Sequence, residues 1–192
     1  MAKRVAVFLA DGFEEIEAIT PIDILVRAGL EVVKVGVGGL TLTGSHGIRV
    51  GADVLVTEAG DGFELLFFPG GGVGAKNLGN SAAAKQLALA AGAAGKWLTA
   101  ICAAPVFTLA AWGLLAGKKA TCYPGMEEKF PPGVIFSQEA VVVDGKCVTS
   151  RGVGTALPFA LTLVTLLEGK SRADKLATEI VYSQPTGGSA NG

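Results

Sequence analysis

The sequence predicts an α/β domain in which helices cover both faces of a mostly parallel sheet. Short apolar segments rich in β-branched residues alternate with longer segments of helical character, which is the pattern of βαβ units. Half of the 192 residues are apolar and 17% are charged, so the chain is suited to one well-buried core. We expect a single domain over residues 1–182 and a flexible, Gly/Ser-rich tail over residues 183–192.

Turn-forming residues divide the chain into a regular series of elements. Asp11-Gly12 ends the first strand, Gly29 ends the first helix, and Asp144-Gly145 is typical of a hairpin turn. We predict strands over 4–10, 31–37, 65–68 and 97–101, and hairpins over 40–50 and 141–150. We predict helices over 14–28, 81–94, 105–115, 155–167 and 172–181.

Charge and hydropathy exclude several classes of function. The formal net charge is −1 and there is no basic stripe, so nucleic acid is not expected as a primary partner. No segment approaches the roughly 20 apolar residues of a membrane helix, and the run 5–10 is too short for the core of a signal peptide. We therefore predict a soluble, cytoplasmic protein without a membrane partner, and leave targeting to an organelle open.

The cysteine and histidine counts limit metal and redox chemistry. Cys102, Cys122 and Cys147 are widely spaced and form no CxxC pair, which argues against a disulfide framework and against a zinc site. The single histidine, His46, falls in a predicted turn, where an exposed side chain is expected. We predict no metal and no organic cofactor.

Cys102 is the strongest candidate for a chemical role. It directly follows a predicted strand, and Pro105 suits the first turn of the helix after it. Sites in open α/β sheets form beyond the carboxyl ends of strands, and a helix N-terminus stabilises a thiolate. Small neighbours, Ala100 and Ala103 among them, permit the sharp turn of a nucleophile elbow. The alternative is a buried structural cysteine.

Two further segments carry candidate groups. The glycines of the segment 69–72 follow a strand, so their backbone N–H groups either face a ligand or belong to a plain turn. Glu17 shares a helix face with Phe13 and Pro21, so burial is expected to raise its pKa and to make it a candidate acid or base. The alternative is a buried acid with a structural hydrogen bond. Glu14 and Glu15 are interpreted as solvated acids of the first helical turn.

Four segments in this order resemble the ThiJ/PfpI superfamily, in the branch that includes the Parkinson-disease protein DJ-1. They are residues 9–17, 69–78, 100–105 and 149–155, and the likeness extends from residue 3 to about residue 176. The resemblance implies a flavodoxin-like three-layer sandwich and a homodimer. Members are described as glutathione-independent glyoxalases, as protein deglycases and as redox-regulated chaperones.

The resemblance also implies roles for matched residues. Cys102 corresponds to the reactive, oxidisable cysteine, and Glu17 corresponds to the protonated glutamate that hydrogen-bonds it. The backbone N–H groups of Gly71 and Ala103 correspond to the pair that stabilises an anion.

The sequence departs from the related proteins at three positions. Tyr123 precedes Pro124 where the branch often has histidine before proline, and Val153 stands where proline is frequent, so the loop there is expected to differ. The peptidase branch carries histidine directly after its nucleophile, whereas this chain has Ala103. A Cys-His dyad, and with it a peptidase or amidase, is therefore poorly supported.

Two hypotheses follow for the function. In the leading one, the Cys102 thiolate adds to small 2-oxoaldehydes such as methylglyoxal, and Glu17 transfers the proton that leads to a hydroxy acid. In the second, oxidation of Cys102 to the sulfinic acid switches a chaperone-like activity. Glycated or unfolded proteins are the further partners that the resemblance implies.

Overall fold

Eleven strands occur in the computed structural model, which describes residues 2–183. They are β1 (Arg4–Ala10), β2 (Glu31–Val37), β3 (Thr41–Thr43), β4 (Arg49–Gly51), β5 (Val54–Leu55), β6 (Leu65–Phe68), β7 (Trp97–Ile101), β8 (Lys119–Ala120), β9 (Ile135–Phe136), β10 (Val141–Asp144) and β11 (Cys147–Ser150). The predicted strands 4–10, 31–37, 65–68 and 97–101 are confirmed with the same bounds.

Seven of these strands form the central sheet, in the order β10-β11-β7-β6-β1-β2-β5. Only the β10–β11 pair is antiparallel, and it is the predicted hairpin with its turn at Asp144-Gly145. The predicted hairpin over 40–50 is β3 and β4, which pair antiparallel outside the central sheet. The mostly parallel sheet is thus confirmed.

Five α-helices flank the sheet: α1 (Glu15–Arg27), α2 (Gly72–Gly79), α3 (Ala82–Ala93), α4 (Ala156–Glu168) and α5 (Lys170–Glu179). Side chains of β1 alternate between two apolar clusters, because successive residues of a strand point to opposite faces. Leu9 packs in the cluster with α1, α4 and α5, and Phe8 packs in the cluster with α2 and α3. Burial of β1 on both faces explains its continuous apolar sequence.

Two helical segments differ from the prediction. Helix α2 was not predicted, because three glycines and a lysine give its sequence neither helical propensity nor a strong apolar face. The helix predicted over 105–115 is a π-helix, Pro105–Ala110, followed by turns. Its turns are wider than those of an α-helix. The N–H groups of Ala111 and Leu114 donate to carbonyl oxygens five residues earlier, at Val106 and Leu109.

Two further predictions concern the ends of the chain and the membrane. The predicted domain bounds, 1–182, remain a prediction, and nearly all of the predicted tail, from residue 184 onward, lies outside the described residues. Within residues 2–183, no helix has the length and apolar character needed to cross a membrane.

Candidate active site

The candidate site lies where the carboxyl ends of neighbouring parallel strands meet. Strands β1, β6, β7 and β11 are adjacent in the sheet and all run in the same direction. The loops that follow them therefore converge at one edge, as in other open α/β sheets. These loops carry the four segments that the sequence analysis singled out.

Cys102 occupies a strained turn directly after β7. Its φ is +65°, in the left-handed region that non-glycine residues rarely adopt. Two backbone hydrogen bonds fix this conformation: Cys102 N–H donates to Ser150 O, and Tyr123 N–H donates to Cys102 O, both at 2.9 Å. The predicted sharp turn is confirmed, and the strain is of the kind that proteins concentrate at functional sites.

Gly71 brings a backbone N–H to the Cys102 sulfur. Its φ is +91°, and a β-carbon there would collide with Gly12 O, so the position requires glycine. The N–H groups of Gly71 and Ala103 lower the pKa of the Cys102 thiol and so favour its thiolate form. The structure thus brings together the two N–H groups that the sequence analysis assigned to an anion.

Glu17 extends from the first turn of α1 into the same space and is only 1% exposed. A β-carbon on Gly70 would collide with Glu17 Oε2 and would lie 2.5 Å from Cys102 Cβ, so only a glycine α-carbon fits between them. Among residues 2–183, neither carboxyl oxygen has a hydrogen-bond partner of ordinary geometry. The acid therefore lies beside the thiol without another structural task.

Burial raises the pKa of Glu17 to about 7. The negative charge of Glu14 raises the Glu17 pKa further. Interactions with the Cys102 thiol and with the Gly70 backbone N–H lower it, the thiol more than the N–H. The sequence prediction of a carboxyl with a raised pKa is confirmed in direction. At neutral pH, the protonated and ionised forms of Glu17 are both populated.

The Cys102 thiol differs from the prediction made from the helix dipole alone. Burial, the charge of Glu17 and hydrogen bonding with Glu17 raise the pKa of the Cys102 thiol to about 12. The N–H groups of Gly71 and Ala103 lower this pKa, but by less. The short π-helix after Cys102 supplies few aligned peptide dipoles. Because two of the three upward effects come from Glu17, a thiolate requires the proton to reside on Glu17.

Glu14 and Glu15 are buried, at 8% and 5% exposure, so their interpretation as solvated acids was wrong. Glu15 accepts bonds from His46 N at 2.6 Å and Ser45 Oγ at 3.2 Å, and lies 2.8 Å from His46 Nδ1. Burial raises the pKa of Glu15, but the His46 contacts outweigh it and lower the pKa to about 2. Glu15 thus anchors the β3–β4 hairpin to α1.

His46 belongs to this hairpin contact. Its side chain is 72% exposed, as expected for a turn histidine, but its Nδ1 is held by Glu15. Ligand atoms of Glu14, Glu15 and His46 lie within 4.8 Å of one another, a spacing that also suits a metal ion. The hydrogen bonds of Glu15 already account for this cluster as an anchor of the hairpin.

The structure adds residues that the sequence analysis did not assign to the site. Gly70 and Gly152 both adjoin the Glu17 carboxyl, and the Tyr123 ring lies beside Gly152. Adjacent strands and loops create these contacts, so no local sequence pattern indicates them. By contrast, Cys122 and Cys147 are buried.

The site combines a strained cysteine after a parallel strand, two backbone N–H groups and a buried acid. These features define the class of α/β proteins that carry a cysteine on a strand-to-helix elbow. Comparison with known families matches residues 3–166 to the DJ-1/PfpI family, and the chain belongs to that family. The flavodoxin-like fold that the resemblance implied is confirmed by oxidized DJ-1 of Toxoplasma gondii. That structure matches with a TM-score of 0.92 and 38% identity, over 95% of this chain and 100% of that one.

Curated relatives agree with this assignment. Protein DJ-1 homolog B of Arabidopsis thaliana is 38% identical over 181 residues, which are 93% of this chain and 41% of the plant protein. Glutathione-independent glyoxalase DJR-1.2 of Caenorhabditis elegans is 33% identical over 165 residues, 85% of this chain and 87% of the worm protein. The chain thus spans less than half the length of the plant relative.

Proposed function

We propose that this protein is a glutathione-independent glyoxalase that converts methylglyoxal and related 2-oxoaldehydes to 2-hydroxy acids. The observation that supports the proposal is the proximity of the Cys102 side chain and the Glu17 carboxyl, both of which adjoin the point where a Gly70 β-carbon would lie. One group is a nucleophile, and the other is an acid whose pKa of about 7 suits proton transfer in both directions. One relative, which this chain matches over most of that relative's length, is named a glutathione-independent glyoxalase.

The first step uses the form in which Glu17 holds the proton and Cys102 is a thiolate. The sulfur adds to the aldehyde carbon, and the carbonyl π-electrons move to oxygen. Glu17 gives its proton to that oxygen, which yields a hemithioacetal and leaves Glu17 as a carboxylate. The N–H groups of Gly71 and Ala103, which favour the thiolate, would also stabilise the negative charge that develops on this oxygen.

The second step moves a proton between adjacent carbons. The Glu17 carboxylate removes the proton from the former aldehyde carbon, which gives an enediolate with its negative charge on the former keto oxygen. That oxygen takes the proton of the neighbouring hydroxyl, and Glu17 then returns its proton to the second carbon as the thioester carbonyl forms. The first carbon is oxidised and the second is reduced, so no external redox reagent is consumed. The product is a thioester of Cys102, and water opens it to the hydroxy acid and releases the thiol.

Deuterium labelling tests this route. Incubation of the protein with methylglyoxal in ²H₂O, without glutathione, is expected to give lactate that carries deuterium at C2, because the Glu17 proton exchanges with solvent. Lactate that retains only protium at C2 would contradict the proton shuttle. Absence of lactate would contradict the glyoxalase proposal itself.

A redox-sensing role is a second candidate, favoured by one observation. Cys102 is partly exposed, whereas Cys122 and Cys147 are buried, so an oxidant reaches Cys102 first. The sulfinic acid formed there would switch a chaperone-like activity, and oxidant-dependent suppression of client aggregation tests it. A peptidase lacks a comparable observation, because His46, the single histidine of the sequence, is held by Glu15.

We further propose that the chain forms a homodimer. Helix α1 exposes Ile16, Ile19 and Val26, at 51%, 39% and 55%, which is a large apolar face for a surface helix. Light scattering is expected to give about twice the 19.4 kDa mass of one chain. A mass equal to that of one chain would contradict this.

A further inference from the structure

The aromatic ring of Tyr123 lies beside Gly152, one of the glycines of the candidate site. Its backbone N–H donates to Cys102 O at 2.9 Å, so its position is tied to the strained cysteine. A β-carbon on Gly152 would lie 3.4 Å from Tyr123 Cδ2 and 3.7 Å from Glu17 Oε1. The ring and the carboxyl therefore flank the same point in space.

Small residues, namely Gly70, Gly71, Ala103 and Gly152, adjoin the Cys102 thiol and the Glu17 carboxyl. These residues expose N–H groups and α-carbons, which hold any 2-oxoaldehyde equally well. Tyr123 is 51% exposed, so it presents carbon surface both to the solvent and to the candidate site. Tyr123 therefore offers a carbon surface beside Glu17 that is large enough to distinguish one substituent from another.

We propose that Tyr123 determines substrate specificity: its ring forms an apolar wall for the substituent on the keto carbon of a 2-oxoaldehyde bound to Cys102. This inference rests on the proposed function. Glu17 must reach both reacting carbons, and the ring lies beside Glu17 across Gly152, so the substituent on the second carbon projects toward the ring. The wall favours methyl and aromatic substituents over the hydrogen of glyoxal.

Steady-state kinetics with glyoxal, methylglyoxal and phenylglyoxal test the wall. Tyr123→Ala is expected to lower the ratio of kcat/KM for phenylglyoxal to that for glyoxal by about tenfold or more, the usual range for one lost apolar contact. Tyr123→Phe keeps the ring and is expected to hold the ratio within about twofold. Tyr182→Ala, at the other tyrosine of the chain beyond α5, controls for the substitution and is expected to leave the ratio unchanged.

Two kinetic outcomes would overturn the proposal. An unchanged ratio in Tyr123→Ala means that the ring does not contact the substituent. An equal loss in Tyr123→Phe and Tyr123→Ala on all three substrates means that the hydroxyl acts in the reaction and the ring is not a specificity wall.

Alkylation of Cys102 separates this inference from the proposed function, because it requires no turnover. The rates of modification by 2-bromoacetophenone and by iodoacetamide are compared, with peptide mass spectrometry to confirm labelling at Cys102. Tyr123→Ala is expected to lower the aromatic-to-aliphatic rate ratio by about tenfold, and Tyr123→Phe to preserve it. If the wild type turns over no oxoaldehyde, the proposed function is wrong and the kinetic test does not apply. An unchanged alkylation ratio in Tyr123→Ala would then refute the apolar wall.

Discussion

The Cys102 side chain and the Glu17 carboxyl adjoin the same point beside Gly70: a β-carbon there would lie 2.5 Å from Cys102 Cβ and would collide with Glu17 Oε2. The charge of Glu17 disfavours ionisation of the thiol, whereas the protonated thiol favours the Glu17 carboxylate. Above about pH 7 the pair carries one negative charge, and the residue that holds the remaining proton decides whether the sulfur is nucleophilic. The predictions below test this coupling and the contacts that support it.

Substitution of Glu17 should separate the reactivity of the thiol from turnover. Glu17→Gln removes the carboxylate charge that raises the Cys102 pKa and keeps an N–H donor, so the Cys102 pKa should fall and alkylation should continue at lower pH. The amide cannot shuttle protons, so methylglyoxal turnover should be lost. Glu17→Asp shortens the reach and should weaken both properties.

The measurement is the rate of thiol alkylation against pH, alongside methylglyoxal consumption. Glu31→Gln, at an exposed acid at the opposite end of the sheet, serves as the control and should change neither. Normal turnover by Glu17→Gln would contradict the proton-shuttle role and would show that Glu17 is only a structural neighbour of the cysteine.

The same carboxyl should make stability depend on pH. The folded-state pKa of Glu17, about 7, lies above the ordinary value of 4.5, so the folded state binds more protons between these values. The stabilisation is complete below pH 4.5 and is lost as pH rises through 7. At 1.36 kcal/mol per unit, the loss is about 3 kcal/mol.

Urea unfolding of the wild type and Glu17→Gln between pH 4 and pH 8 measures this difference. The free energy of unfolding of the wild type should fall relative to the variant by about 3 kcal/mol over that range. Parallel curves for the two proteins would contradict a raised pKa at Glu17.

Much of the scaffold was predictable from sequence because strands buried on both faces have continuous apolar runs. The four central strands were predicted with their observed bounds, and Cys102 and Glu17 were found from a strand-to-helix junction and a helical period. The burial of Glu15 was not predictable, because its partners lie on the β3–β4 hairpin, about 30 residues further along the chain. The pKa of Cys102 likewise depends on a partner from another element.

Glu15 should contribute to stability through the hairpin that it anchors. Glu15→Gln removes the charge that His46 N–H and Ser45 Oγ contact and should cost about 2 kcal/mol at pH 7, measured by urea unfolding. Asp23→Asn on the same helix breaks an exposed ion pair with Arg27 and should cost under about 0.5 kcal/mol.

Acid should remove this difference between Glu15→Gln and the wild type. The lowered pKa of Glu15, about 2, means that the contribution of its charge is present above pH 4.5 and is lost as pH falls through 2. A difference of equal size at pH 2 and pH 7 would show that the anchor does not depend on the charge.

Mild peroxide should oxidise Cys102 before the other two thiols. The pKa values of Cys102 and Cys122 are both raised to about 12, chiefly by burial, but Cys102 is partly exposed and loses part of that rise when Glu17 is protonated, whereas Cys122 is fully buried. Each oxygen transferred to sulfur consumes one peroxide and releases water, so two equivalents give the sulfinic acid. Peptide mass spectrometry should find both added oxygens at Cys102, and preferential oxidation of Cys122 would contradict the assignment.

The central claim, covalent catalysis by Cys102, is tested most directly by lactate formation from methylglyoxal without glutathione. The wild type, Cys122→Ser and Cys147→Ser should form lactate at similar rates, since the two buried thiols lie outside the site. Cys102→Ser should remain folded but form lactate no faster than the reaction without protein, because its hydroxyl has no base to activate it. Lactate formation by Cys102→Ser at the wild-type rate would contradict the covalent mechanism.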